Sequence, residues 1–330
     1  MTGVEAVICL DAATGATLWE HRYEAETVDL LQYGDAPRST PLIAGDRLFT
    51  IGRSGRMLAL DKRDGSRIWG HDLWAEPFSG NRQAHGYSSS AIAWGDTVIV
   101  PIGGADASLV AFDQATGDVR WQLAGFANSH SSPRMFDLAG REQLVLFMRG
   151  ELIGVDPGTG ELLWSWPHVN QWGHNITMPS AAGDTIFFSS PQAGARGLRL
   201  EASGDGIEVE QVWSSRRIQF YHATTVQNGD WVYGSIGITA PAFMTAVNIR
   251  TGEIGWRERG LAKANCIEAG GRLIALDENG VLHLAEATPQ ALTVLASTQL
   301  LERYAWTVPT LVGTTLYARD QKRIVALDLG

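Results

Sequence analysis

The chain has 330 residues, 45% of them apolar and 19% charged, a composition that suits a soluble globular protein with enough material for a sizeable core. Its formal net charge of −10 excludes nonspecific nucleic-acid binding, which needs a basic excess to neutralise phosphate. No apolar run reaches the length of a transmembrane helix, and the start of the chain lacks the charged and apolar regions of a signal peptide.

Taken in chain order, the sequence is a repeat. Leu10-Asp11 followed by Thr14-Gly15 and Trp19 returns as Leu60-Asp61, Asp64-Gly65 and Trp69. It returns again as Phe112-Asp113, Thr116-Gly117 and Trp121, and as Val155-Asp156, Thr159-Gly160 and Trp164. Asn248, Thr251-Gly252 and Trp256 make a further copy. Two copies are degenerate, one running from Leu200 to Trp213 with an insertion and one from Leu284 to about Ala296 without the Trp; the last stops at Asp328-Leu329-Gly330. Each copy predicts a strand, an Asx-turn closed by the Asp or Asn side chain, a Gly at positive φ, and a returning strand whose Trp wedges against a neighbouring unit. Upstream of the motifs lie pairs of strands turning at Gly-Asp, at Gly45-Asp46, Gly95-Asp96, Gly183-Asp184 and Gly229-Asp230. Four strands per unit, with the first Trp positions recurring about every 50 residues, predict propeller blades.

On these residues the chain resembles the PQQ-type β-propeller family, which includes quinoprotein alcohol dehydrogenases and the lipoprotein subunit of the outer-membrane barrel-assembly machinery. The resemblance covers essentially the whole chain. It implies an all-β PQQ-like propeller of four-stranded antiparallel blades, filling residues 1–330 as a single domain. It also implies eight blades with an incomplete seam, because the first unit holds only two strands and the last three; the alternative is seven. On the eight-blade count the N-terminal strands are missing, and an export signal with them. The full-length protein is then expected to be periplasmic or exported, and a monomer.

In such propellers the first strand of each blade lines a channel. Aligning the units on their turn Gly gives one column at its mouth: Arg38, Ser88, His130, Ile176, His222, Lys263 and Trp306. Tyr87, His174, Asn175, Tyr221 and Tyr304 come just before it, and Arg53, Arg149 and Arg319 end the second strands. That column has no carboxylate, so the expectation is a basic, aromatic funnel for an anionic or hydroxyl-rich ligand or an acidic partner segment. The bland reading is that these Arg and His side chains satisfy carbonyls where blades meet. His85, His130, His174 and His222 invite a metal reading, but no short ligand spacing supports it. Trp74, Phe78 and Arg82, with Trp166, His168 and Trp172, form either an aromatic rim or cover for blade edges.

The resemblance to quinoprotein dehydrogenases implies a quinone on a Trp floor, a calcium ion held by carboxylates and amides, and an Asp base. The sequence offers no adjacent cysteines and no such acid–amide set; Asp277 and Glu278 are the one acidic pair near a channel-side turn and read as solvated. No cofactor is therefore expected, neither PQQ nor calcium. Cys9 and Cys266 read as two buried free thiols. The function expected is a noncatalytic scaffold or binding protein, with a carbohydrate- or anion-binding enzyme or sensor as the alternative.

Overall fold

The computed structural model describes residues 2–26, 38–83, 85–237 and 242–330. Six four-stranded antiparallel sheets follow one another, spanning 42–72, 92–123, 134–167, 180–215, 226–258 and 264–299, each with its strands in chain order. A three-stranded sheet spans 310–328, and strands Thr2–Leu10 and Thr17–Glu26 pair with each other as a two-stranded ribbon. Among the described residues there are thus seven blades, six complete and one of three strands. The expectation of eight is corrected to seven because it counted the ribbon as a blade, whereas among the described residues its two strands form a backbone ladder with each other alone.

The residues form two compact units. One holds residues 1–137 and 141–169, with the ribbon and the blades up to 167; the other holds 138–140 and 170–330. Within each, the core is built between consecutive blades. In the first unit Phe49, Met57 and Trp69 pack with Val98, Val110 and Phe112 of the next blade. In the second, Phe187 meets Val232 and Val247, and Leu276 meets Leu316.

The repeated motif does more than turn the chain. Asp11 Oδ1 accepts the amides of Ala13 and Thr14, at 3.2 and 2.8 Å, and Asp113, Asp156 and Asn248 repeat the arrangement. Each hairpin between third and fourth strand then carries a bulge. Ala59 faces Trp69 but Leu60 faces Arg67, so Ile68 is the extra residue. The same shift leaves out Leu18, Arg120, Leu163, Val212, Gly255 and Leu295. A bulge re-aims the side chain beside it, and here it turns the Trp across to the next blade. The residue opposite each Trp is small or compact (Cys9, Ala59, Ala111, Gly154, Gly197, Ala246), which leaves room for the indole.

The indole then docks twice over. Trp19, Trp69, Trp121 and Trp213 donate their Nε1–H to the carbonyls of Lys62, Gln114, Pro157 and Ile249, one residue beyond the next blade's turn Asp or Asn. Their ring faces lie on Gly65, Gly117, Gly160 and Gly252, where an added Cβ would come within 2.4–2.7 Å of the indole. Two residues after Trp19 and Trp69, His21 and His71 bond the carbonyls of the same glycines at 2.9 and 2.8 Å. Trp164 departs from the pattern and donates to Gln143 Oε1 of its own blade at 2.6 Å. Both cysteines are free as expected; Cys266 is buried, but Cys9 is only half-buried.

Candidate functional site

In the first unit the expected residues gather around the loop 85–88. Arg38 Nε donates to the carbonyl of His85 at 2.9 Å, and the Arg53 carbonyl accepts the Tyr87 amide at 2.9 Å. The His85 and His130 rings lie 6.1 Å apart, with Ser88 Oγ 2.6 Å from His130 Nδ1. Burial, then the positive charges of Arg38 and Arg53, hold the His85 imidazole below its usual pKa and keep it neutral at physiological pH. Arg53 is buried, and its amide bonds Glu5 Oε1 at 3.1 Å, while Tyr23 donates its hydroxyl to Glu5 Oε2 at 2.6 Å. Burial, then this carboxylate, push the Tyr23 phenol well above its ordinary range. Glu5 is a residue the sequence reading missed; it belongs to the ribbon, and nothing in its local sequence aims it at Arg53. Arg149 lies exposed in the turn after strand Arg141–Phe147, its amide donating to the Ala127 carbonyl at 2.9 Å.

In the second unit an aromatic and imidazole cluster forms between two blade connections. The His174 and Tyr221 rings are near-parallel, 9° apart, with the hydroxyl 3.0 Å from His174 Nδ1. Trp172 lies 6.1 Å from His174 and 6.2 Å from Tyr221, and the His222 ring 3.9 Å from Tyr221. Trp172 is 41% exposed. Beneath, Asn170 Oδ1 accepts the amides of Trp172 and His174, and its Nδ2 donates to buried Asn175 at 2.8 Å. Asn170 was likewise missed; its position two residues before Trp172 is the turn-forming spacing that signals it.

A second group in that unit joins Lys263, Tyr304 and Trp306. The Lys263 carbonyl accepts the Glu278 amide at 2.7 Å, and Trp306 Nε1 donates to Glu278 Oε2 at 3.4 Å. The Tyr304 and Trp306 rings are 4.5 Å apart, with the Arg303 guanidinium 4.6 Å above Tyr304. Arg319 ends strand Thr315–Arg319, paired with Ile324.

Carboxylates from outside the aligned column join the basic and aromatic residues: Glu5 accompanies Arg53, and Glu278 accompanies Trp306. Nor is the acidic pair solvated as a whole. Asp277 is buried and accepts the amides of Asn279 and Val281 and the ring of His283, whose other nitrogen meets Ser297 Oγ at 2.8 Å. Burial raises the Asp277 carboxyl, but these donors outweigh it and hold the group below the usual range. The supposed rim divides. Phe78 is buried against His71 and Phe112, and His168 against Phe147, so both are core. Trp74 lies against Gly55 and under Arg82. Among the described residues no group of three or more His, Cys, Asp or Glu side chains is placed to hold a metal ion.

A family model described as outer membrane protein assembly factor BamB matches residues 1–137 and 104–258. The outer membrane protein assembly factor BamB of Yersinia pestis is 25% identical over 297 residues, covering 85% of this chain and 71% of that protein. A quinohemoprotein alcohol dehydrogenase of Comamonas testosteroni is 28% identical over 138 residues, 39% of this chain; the match spans only 19% of the dehydrogenase. The crystal structure of BamB from Moraxella catarrhalis shares the fold with a TM-score of 0.65 at 20% identity, covering 98% of this chain and 88% of that one.

Proposed function

Because the chain belongs to the family described as outer membrane protein assembly factor BamB, we propose that it is a noncatalytic propeller scaffold that holds a protein partner during outer-membrane protein assembly. The observation that carries the reading is the cluster in which exposed Trp172 and His222 flank half-buried His174 and buried Tyr221, held from below by Asn170 and Asn175. Large rings with polar tips, fixed in place before binding, are the usual anchors of protein interfaces, because little side-chain entropy is lost when they are covered. Arg38, His130 and Arg149 in the first unit, and Lys263, Tyr304, Trp306 and Arg319 in the second, offer further polar contacts to such a partner, with buried Arg53 behind the first group. The protein works in the periplasm as a monomer and needs neither PQQ nor calcium. In support, Asp277 and Glu278, the acids the sequence offered to such a site, are engaged by backbone amides, His283 and the Trp306 indole.

Deleting the gene should lower the amount of β-barrel protein in the outer-membrane fraction. The wild-type chain should restore it, and Trp172→Ala with His222→Ala should not, although that variant melts at the parent temperature. Unchanged barrel levels on deletion would overturn the proposal; full rescue by the double variant would remove the aromatic cluster from it. Trp172 beside polar groups also suits a sugar ring, the basis of a second reading as a carbohydrate- or anion-binding enzyme or sensor. That reading requires a rise in melting temperature with neutral or acidic oligosaccharides, by preferential binding to the folded state. The same screen with PQQ and calcium should be flat, and a rise there would restore a dehydrogenase.

A further inference from the structure

The second unit holds a group of arginines away from the aromatic cluster. Strand Gly194–Ser203 supplies Arg196, held through Nε by Gln211 Oε1 at 3.1 Å. Arg216 and Arg217 form the turn that follows strand Gly206–Ser215, and both are exposed. Arg257 comes from strand Ile254–Glu258 of the next blade and is half-buried; its Nη2 donates to the backbone carbonyl of Arg217. Arg257 Nε is buried with no hydrogen-bond partner. The turn between them is braced: Gln219 Nε2 donates to the Arg216 carbonyl at 2.9 Å, and Gln219 Oε1 accepts the Gln192 amide at 3.3 Å.

This gathering of like charge runs against the rest of the molecule. The chain carries a net −10, and Arg120, Arg141, Arg199 and Arg250 each find a carboxylate. Among the described residues, no ion pair involves Arg216, Arg217 or Arg257. Burial, then the neighbouring Arg216, lowers the pKa of Arg196; burial, then Arg217, lowers that of Arg257. Like charges drawn together, as Arg216 is to Arg196 and Arg217 to Arg257, repel one another, and an anion seated among them removes the repulsion. Guanidinium forks present paired donors that match the oxygens of a phosphate group.

We infer that Arg196, Arg216, Arg217 and Arg257 form a binding site for a phosphate-bearing polyanion, a chemistry shared by anionic lipid headgroups and soluble polyphosphates. None of the four belongs to the aromatic cluster, so this site stands or falls apart from the scaffold reading.

The test titrates the whole chain calorimetrically with sodium tripolyphosphate at about 50 mM salt, where exposed charges still act. A parallel arm measures cosedimentation with phosphatidylglycerol vesicles against phosphatidylcholine vesicles. Binding in either arm is expected, weakening as salt rises and falling at least about ten-fold in the Arg216→Ala, Arg217→Ala double variant. Those two side chains are exposed and lie beyond the strand, so the variant should melt as the parent does. Arg257→Lys, which keeps the charge and loses the fork, should weaken binding as well. Tripolyphosphate binding alone assigns a soluble ligand; vesicle binding assigns a headgroup. No binding in either arm, or undiminished binding by the folded double variant, would overturn the inference.

Discussion

At the scale of single residues, the turn glycines separate two costs that usually travel together. Gly15 and Gly117 have nearly the same backbone, φ +72° and +79°. Nothing lies within 4 Å of a Cβ added at Gly15, whereas at Gly117 it would meet Trp69 Cδ2 at 2.7 Å. Gly15→Ala should therefore cost about 1 kcal/mol, the left-handed backbone penalty alone. Gly117→Ala should cost about 2–3 kcal/mol, because the indole must also lift from its seat. Urea unfolding of both variants measures the difference directly, and equal losses would show that Trp69 does not rest on Gly117.

At the scale of the element, the hairpin joining strands Arg272–Asp277 and Val281–Ala287 is held by one buried carboxylate. Asp277 takes the amides of its own turn and reaches His283, which reaches Ser297 on the next strand. Its carboxyl ionises more readily in the folded protein than in the unfolded chain, where its value is 3.8. Ionised Asp277 thus contributes its full stability above that value, and the contribution drains away as the pH falls through the lower folded one. Asp277→Asn should be less stable than the parent at pH 7, with a shallower loss of melting temperature below about pH 4. Parallel acid limbs in the two proteins would remove Asp277 from the account. Here the local sequence was a poor guide: Asp277-Glu278 beside Asn279-Gly280 reads as an exposed turn, and the burial comes from His283, which the register brings across from the adjoining strand.

At the scale of the molecule, stability is a chain of contacts between neighbouring blades, as in other repeat architectures. Trp69 belongs to blade 42–72, but its indole bonds Gln114 and lies on Gly117 of blade 92–123, and the buried Phe49 and Phe112 rings flank it. Trp69→Ala should cost about 3–5 kcal/mol. Hydrogen exchange should then lose protection in both blades, while the blades of the second compact unit keep theirs. Loss confined to blade 42–72 would mean that the indole is not the joint between them.

The sequence by itself determined the strands, the Asx-turns and the identity of the docking tryptophans, because these depend on neighbours within about ten residues and on a period that repeats. Aligned on its turn glycines, the repeat also put His222, Lys263 and Trp306 at equivalent positions, without saying what surrounds them. Only the tertiary structure decided the blade count, because whether Thr2–Leu10 and Thr17–Glu26 make a blade or a ribbon depends on which strands they pair with. It alone brought Glu5 to Arg53 and Glu278 to Trp306, and carried Phe78 and His168 into the core. Arg257 reaches the Arg216–Arg217 turn from the next blade, 40 residues along the chain from the carbonyl it bonds. Charge at such a site is a sum over side chains from separate blades, and no local window of sequence contains that sum.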